Sequence, residues 1–217
     1  MKQLNKRLRE PVNFYTHFIP AVLAIPAALV LFYQSISTTQ QIAAVVYGMC
    51  TLVLFSISAT YHGHPTTEKQ IRFWQKFDHC CIYLMIAGSY TPTTLLVFEG
   101  NTRWTLFSIV WLIALVGCAI KIFNRLQHKG ISLFVYISMG LLIVPLLNQM
   151  AERLPFEAIM WLLLGGVFYI GGTFFYYKDK RYNQFVHSHE IWHLFVVAGA
   201  LSHYVYNYAY LFIPNLA

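Results

Sequence analysis

What most constrains this chain is the recurrence, from one end to the other, of apolar runs long enough to cross a bilayer. A helix rises about 1.5 Å per residue, so the hydrocarbon core takes about 20 apolar residues. Runs of that size lie near 14–34, 41–62, 77–98, 105–123, 132–151, 157–177 and 188–211. Lipid offers no hydrogen-bond partner to an open backbone, so spans of this kind must be helices. The expectation is an all-α membrane protein, a seven-transmembrane helix bundle that forms a single domain over 1–217. Short connections leave no room for a separate soluble domain. Composition agrees: 58% of the 217 residues are hydrophobic and only 11% charged, where a soluble domain carries about a quarter. The first run follows a charged segment and lacks a small-residue cleavage site, so it reads as a span and not as a signal peptide.

The formal charge of +7 could suggest nucleic acid, but that needs a basic patch on a folded surface. Here the basic residues sit between the apolar runs. Lys2, Lys6, Arg7 and Arg9 precede the first; Lys69, Arg72 and Lys76 separate the second and third; Lys121, Arg125 and Lys129 separate the fourth and fifth; Lys178, Lys180 and Arg181 separate the sixth and seventh. Of the 15 Lys and Arg residues, only Arg103 and Arg153 are left for the other side. The positive-inside rule then puts the amino terminus in the cytoplasm and, after seven crossings, the carboxyl terminus outside. Cys50, Cys80, Cys81 and Cys118 have no spacing suited to a disulfide framework or a zinc knuckle and read as buried thiols.

Pro11 suits a first helical turn, where its missing N–H has no helical partner. Glu10, Asn13 and His17 then share one helix face, which should point into the bundle. Pro20, Pro26, Pro92 and Pro145 predict kinks. Gly165, Gly166, Gly171 and Gly172 predict close helix packing without a strict G-x-x-x-G pattern.

The chemistry concentrates in His187-Ser188-His189-Glu190-Ile191-Trp192-His193, Ser58-Ala59-Thr60-Tyr61-His62 and Asp78. Residues four apart on a helix lie one above the other, so His189 and His193 aim two imidazoles at one point. Depth is the demanding test. His62 ends the second span on the cytoplasmic side, Asp78 starts the third there, and His189 and His193 start the seventh there. Glu10, Asn13 and His17 enter from the same side. His203 lies 14 residues beyond His189, about 21 Å further along the helix, and cannot join them. Three imidazoles with a fourth position open form the pattern of a catalytic Zn2+ site, in which water has a lowered pKa. Hard-oxygen metals do not suit such a donor set. Asp78 and Ser58 would then sit beside the ligands, supported by Glu10, Asn13 and His17. The loop histidines His64, His79, His128 and His187 read as solvated or interfacial.

His189 to His193 also spell H-E-x-x-H, in which zincins use the glutamate as general base. An intramembrane metalloprotease would take a third, acidic ligand from another span, a role open to Asp78, but that leaves His62 unexplained. Glu190 is therefore a supporting polar residue with an undecided role.

These motifs resemble the hemolysin III branch of the progestin and adipoQ receptor family. Glu10-Pro11-Val12-Asn13 with His17 resembles its first motif, and Ser58 to His62 matches its S-x-x-x-H. Phe77-Asp78-His79 with Ala87-Gly88-Ser89-Tyr90-Thr91-Pro92 resembles the third-helix motif, and His189 to His193 matches H-x-x-x-H. The resemblance implies a multi-pass protein of a bacterial plasma membrane, with zinc held by His62, His189 and His193 and with Ser58 and Asp78 alongside. It also implies a lipid-facing function: hydrolysis of a lipid amide or ester in the manner of ceramidases, or lipid sensing, in membrane homeostasis. Asp78 and Ser58 are the expected catalytic residues. The competing expectation is a non-catalytic receptor or membrane-stress protein with structural zinc; a pore-forming cytolysin lacks the amphipathic segment it would need. Membrane lipids are the expected partners, with no nucleic acid and no soluble protein inferred.

Overall fold

The computed structural model describes residues 8–64, 66–123, 128–178, 180–182 and 187–213; Lys2, Lys6, Arg7 and Arg125 lie outside the described residues. Helices follow the apolar runs. They are α1 (Pro11–Gln34), α2 (Thr38–Gly63), α3 (Glu68–Leu96), α4 (Gly100–Ile122), α5 (Lys129–Leu141), α6 (Leu147–Ala151), α7 (Phe156–Lys178) and α8 (Ser188–Tyr206), the last extended by a π-helical turn over Asn207–Phe212. Among the described residues, five stretches are long and apolar enough to cross a membrane: Pro11–Gln34, Thr38–Gly63, Gly100–Ile122, Lys129–Ala151 and Phe156–Lys178. α3 and α8 fall short of that measure because they carry polar residues: Asp78 and His79 on one, His189, Glu190, His193 and His203 on the other.

One expected boundary is corrected. The third helix starts at Glu68 and not near 77, because Thr67 and Gln70 close a capping box that satisfies free N–H groups in the first turn. Asp78 is therefore nearly three turns inside α3. The kink expected at Pro145 takes the form of a 3-10 turn, Val144–Leu146, within the fifth run. Pro20, Pro26 and Pro92, by contrast, lie inside helices that continue through them.

α1 packs along α2, α2 along α3, α3 along α4 and α7 along α8, while α8 returns to touch α1. α7 and α8 approach through glycine. A Cβ on Gly172 would stand 2.8 Å from the Trp192 ring, too close for any real contact, and one on Gly165 would collide with the His203 ring. Gly166 faces open space. α5 meets α3 and α7 sparsely, and an apolar cavity of about 410 Å³ lies there, lined by residues such as Ile86, Ile137, Leu163 and Trp192. All four cysteines are free, with Cys80 and Cys81 buried.

Candidate metal centre

Three helix ends build the site. The last carbonyls of α2 have no helical partner, and the segment before α1 supplies donors to them. Arg9 N–H donates to Gly63 O at 3.2 Å, Glu10 N–H to His62 O at 3.0 Å, and the Arg9 guanidinium to Tyr61 O at 2.7 Å. That docking carries the Glu10 carboxylate to His62, whose Nδ1–H donates to it at 2.6 Å. Asn13 Nδ2 donates to the same oxygen at 3.0 Å. Burial works against the charge on Glu10, but the hydrogen bond from His62, then the one from Asn13 and the neighbouring Arg9 charge, hold its pKa down at about 2.

α8 begins where Ser188 bonds back to Lys180: Ser188 N–H donates to Lys180 O at 2.8 Å, and Lys180 N–H donates to Ser188 Oγ at 2.7 Å. Its first turn is capped reciprocally by His187 and Glu190. The Glu190 carboxylate thus accepts from the His187 backbone, and its negative charge suits a helix amino terminus. His189 and His193 project from the first two turns toward His62.

One ligand nitrogen from each of His62, His189 and His193 lies within 4.8 Å of the others, so the three could hold a metal ion. Hydrogen bonding makes two of the three imidazoles suitable ligands. With Nδ1 of His62 donating to Glu10, its Nε2 carries the lone pair, and that atom is buried with no hydrogen-bond partner. His193 Nδ1 is 3.0 Å from Thr16 Oγ1, and the Thr16 hydroxyl already donates to Asn13 O at 2.9 Å. A hydroxyl has one proton to give, so His193 Nδ1–H is the donor and Nε2 keeps its lone pair. Outer carboxylates and hydroxyls that fix ligand tautomers in this way are the usual support of histidine metal sites. An orphaned buried lone pair beside two further imidazoles fits a cation.

The other expected residues fall around this triad. His17 stacks flat on His193, with ring centres 3.7 Å apart and planes 7° apart, and both its ring nitrogens are buried and unpartnered. Ser58 is buried one turn before His62. Asp78 lines a polar cavity of about 810 Å³ together with Glu10, His62 and His189. His193 is buried behind them. His203 is remote, as its place along α8 requires, with Nε2 3.2 Å from Leu162 O. His79 departs from expectation: it is a cavity wall residue, with Nε2 3.4 Å from Tyr176 Oη. Thr16 was missed, although Asn13, Thr16 and His17 share the spacing of one helix face and that spacing could have found it.

Known proteins resemble this chain along most of its length. The pattern of the family described as haemolysin-III related matches residues 5–204. Hemolysin-3 of Bacillus cereus is 35% identical over 207 residues, covering 92% of this chain and 91% of its own. The hemolysin-3 homolog of Bacillus subtilis (strain 168) is 34% identical over 194 residues, 88% and 89% of the two chains. Monocyte to macrophage differentiation factor of Homo sapiens is 30% identical over 208 residues, 92% and 83%. This multi-pass membrane protein belongs to the haemolysin-III related family.

Proposed function

We propose that the chain is a zinc-dependent hydrolase of membrane-lipid amides or esters, built as seven spans with a cytoplasmic amino terminus. One observation carries the metal: the buried, unpartnered Nε2 of His62, whose other nitrogen is tied to Glu10. His62, His189 and His193 would hold zinc, which when bound supplies water of lowered pKa and a polarised substrate carbonyl. Asp78 lines the same cavity as His62 and His189 and is the group to take a proton from water and return it to the leaving group. Ser58 orients water or the leaving group from within α2. Glu10 and Thr16 hold the ligand rings and do not meet substrate.

An amphiphilic substrate is supported by the two cavities, one polar and one apolar, which share Tyr136 as a wall residue. A head group fits the first and an acyl chain the second. The apolar cavity also has the size of an ordinary ligand pocket, about 300–1,000 Å³.

A second reading is supported by the way the triad and its supports tie α1, α2 and α8 together through His62, His193, Glu10 and Thr16. In that reading zinc staples helices in a lipid sensor and no bond is cleaved. Release of fatty acid from labelled lipid amides and esters separates the two. The hydrolase reading expects release by purified protein, none by His62→Ala, and a loss of about 10²–10⁴-fold in Asp78→Asn with metal retained. Zinc-loaded protein that releases nothing from the whole panel leaves only the staple, and an Asp78→Asn variant as active as wild type removes Asp78 as the proton carrier.

A further inference from the structure

α3 and α4 meet through a pair of cysteines that the metal triad does not use. The Cys80 thiol donates to Cys118 O at 3.6 Å, and the Cys118 thiol donates to Cys80 O at 3.5 Å. The exchange is reciprocal, so each side chain lies against the backbone of the other residue. The two thiols also interact side chain to side chain. Such a crossing needs helices packed at short range, and the residue before Cys118 provides it. A Cβ on Gly117 would stand 2.6 Å from the Tyr83 ring of α3, so no side chain holds α4 away at this level.

A disulfide requires Cα atoms about 4.4–6.8 Å apart and Cβ atoms about 3.5–4.5 Å apart. Two cysteines in reciprocal contact across closely packed helices approach that requirement, whereas a thiol is only a weak hydrogen-bond donor. The remaining cysteines are set differently. Cys50 packs against Gly88, where a Cβ would stand 2.7 Å from its Sγ, and Cys81 is buried on α3 beside Cys80. Within the pair, access favours Cys118: it is half-buried and Cys80 is buried. Cys118 also lies one turn before the end of α4 at Ile122, the end that the proposed topology puts at the cytoplasm. Thiols there are kept reduced, and the disulfides that do form are usually transient and redox-sensing.

We propose that Cys80 and Cys118 are a redox pair that closes into a reversible α3–α4 disulfide on exposure to a peroxide. Cys118, as its thiolate, attacks one oxygen of hydrogen peroxide. The O–O bond breaks, and hydroxide leaves and recovers the thiol proton as water, which makes Cys118 a sulfenic acid. The Cys80 sulfur then attacks the Cys118 sulfur. The S–O bond breaks, and the hydroxyl leaves with the Cys80 proton as a second water. Two thiols and one peroxide thus give one disulfide and two waters, with two electrons passing from sulfur to oxygen. A dithiol reverses the bond by exchange. The bond joins the helices close to Asp78 and Lys121, which line the polar cavity. Neither step involves the metal or a lipid.

The test uses full-length protein in a neutral detergent, reduced and then freed of reductant. It is treated with hydrogen peroxide, alkylated under denaturing conditions and cut into peptides for mass spectrometry without reduction. Untreated protein should alkylate at all four cysteines. Treated protein should lose two of those four sites, with Cys80 and Cys118 joined within one chain, and dithiothreitol should return both. Cys81→Ser should still form the bond, and Cys80→Ser and Cys118→Ser should form none. If Cys80→Ser does not fold, Cys118→Ser, at the less buried position, must abolish the bond alone. Thiols that serve only as hydrogen bonds between helices remain alkylated at all four sites after treatment, and that result overturns the redox pair. So does a bond between the Cys118 residues of two chains, a bond from Cys118 to Cys81, or Cys118 driven to sulfinic acid with Cys80 still alkylated.

Discussion

Thr16 on α1 accepts a hydrogen bond from Nδ1 of His193 on α8, at 3.0 Å, because its own proton is committed to Asn13 O. One hydroxyl thereby selects the tautomer of a residue 177 positions away. Thr16→Val keeps the shape and removes the acceptor, so metal affinity should fall by about 10–100-fold. Thr16→Ser should restore most of it. Titration with a competing chelator reads both, and a Thr16→Val protein with unchanged affinity would show that the bond does not orient His193.

Glu10 performs the matching task for His62, with a charge in addition. Glu10→Gln can keep an acceptor oxygen near Nδ1 but not the negative charge, and Glu10→Ala keeps neither. Metal affinity should therefore decline in the order wild type, Gln, Ala, with the Ala variant weakened by about 10–100-fold. Equal affinities across the three, measured by the same competition, would mean that Glu10 only caps α2.

How far the sequence revealed this arrangement depends on the range of each interaction. His189 and His193 were legible because i,i+4 stacking is a local rule, and His62 joined them once span ends were aligned by depth. Glu10, Asn13 and His17 were visible as a face. Their partners were not. Glu10 reaches His62 only because Arg9 and Glu10 dock on the open carbonyls of α2, a tertiary contact that no periodicity encodes. The amino-terminal turns of α3 were hidden because Lys69, Arg72 and Lys76 read as a loop, whereas the Thr67 and Gln70 cap extends the helix beyond the apolar run. His79 looked interfacial because its partner, Tyr176, lies 97 residues away.

His203 provides an internal control for position along α8. It is a buried imidazole on the same helix, but it bonds to Leu162 O and packs against Gly165. His193→Ala should abolish stoichiometric metal binding, while His203→Ala should retain it and lose stability by opening the α7–α8 interface. Metal content and melting temperature of the two purified variants give the comparison. Equal metal loss in both would refute the separation of the two histidines.

The proposed topology rests on 13 of 15 Lys and Arg residues lying in the segments that it assigns to one side, which the positive-inside rule makes the cytoplasm. Reporter fusions and cysteine labelling in intact cells should find the amino terminus in the cytoplasm and the carboxyl terminus outside. Both ends on one side would require α3 or α8, the two helices richest in histidine and charged residues, not to span.

The metal itself is the most direct test, because only as ligands, and not as a buried hydrogen-bond cluster, do His62, His189 and His193 require an ion. Protein purified without chelator and analysed by mass spectrometry of its elements should contain about one zinc per chain, the ratio of a single three-histidine site. His62→Ala should contain none, and chelation should lower the melting temperature of wild type because the ion binds only the folded chain. Wild-type protein that is folded, monodisperse and free of zinc, and that takes up none when the metal is supplied, would contradict the metal centre.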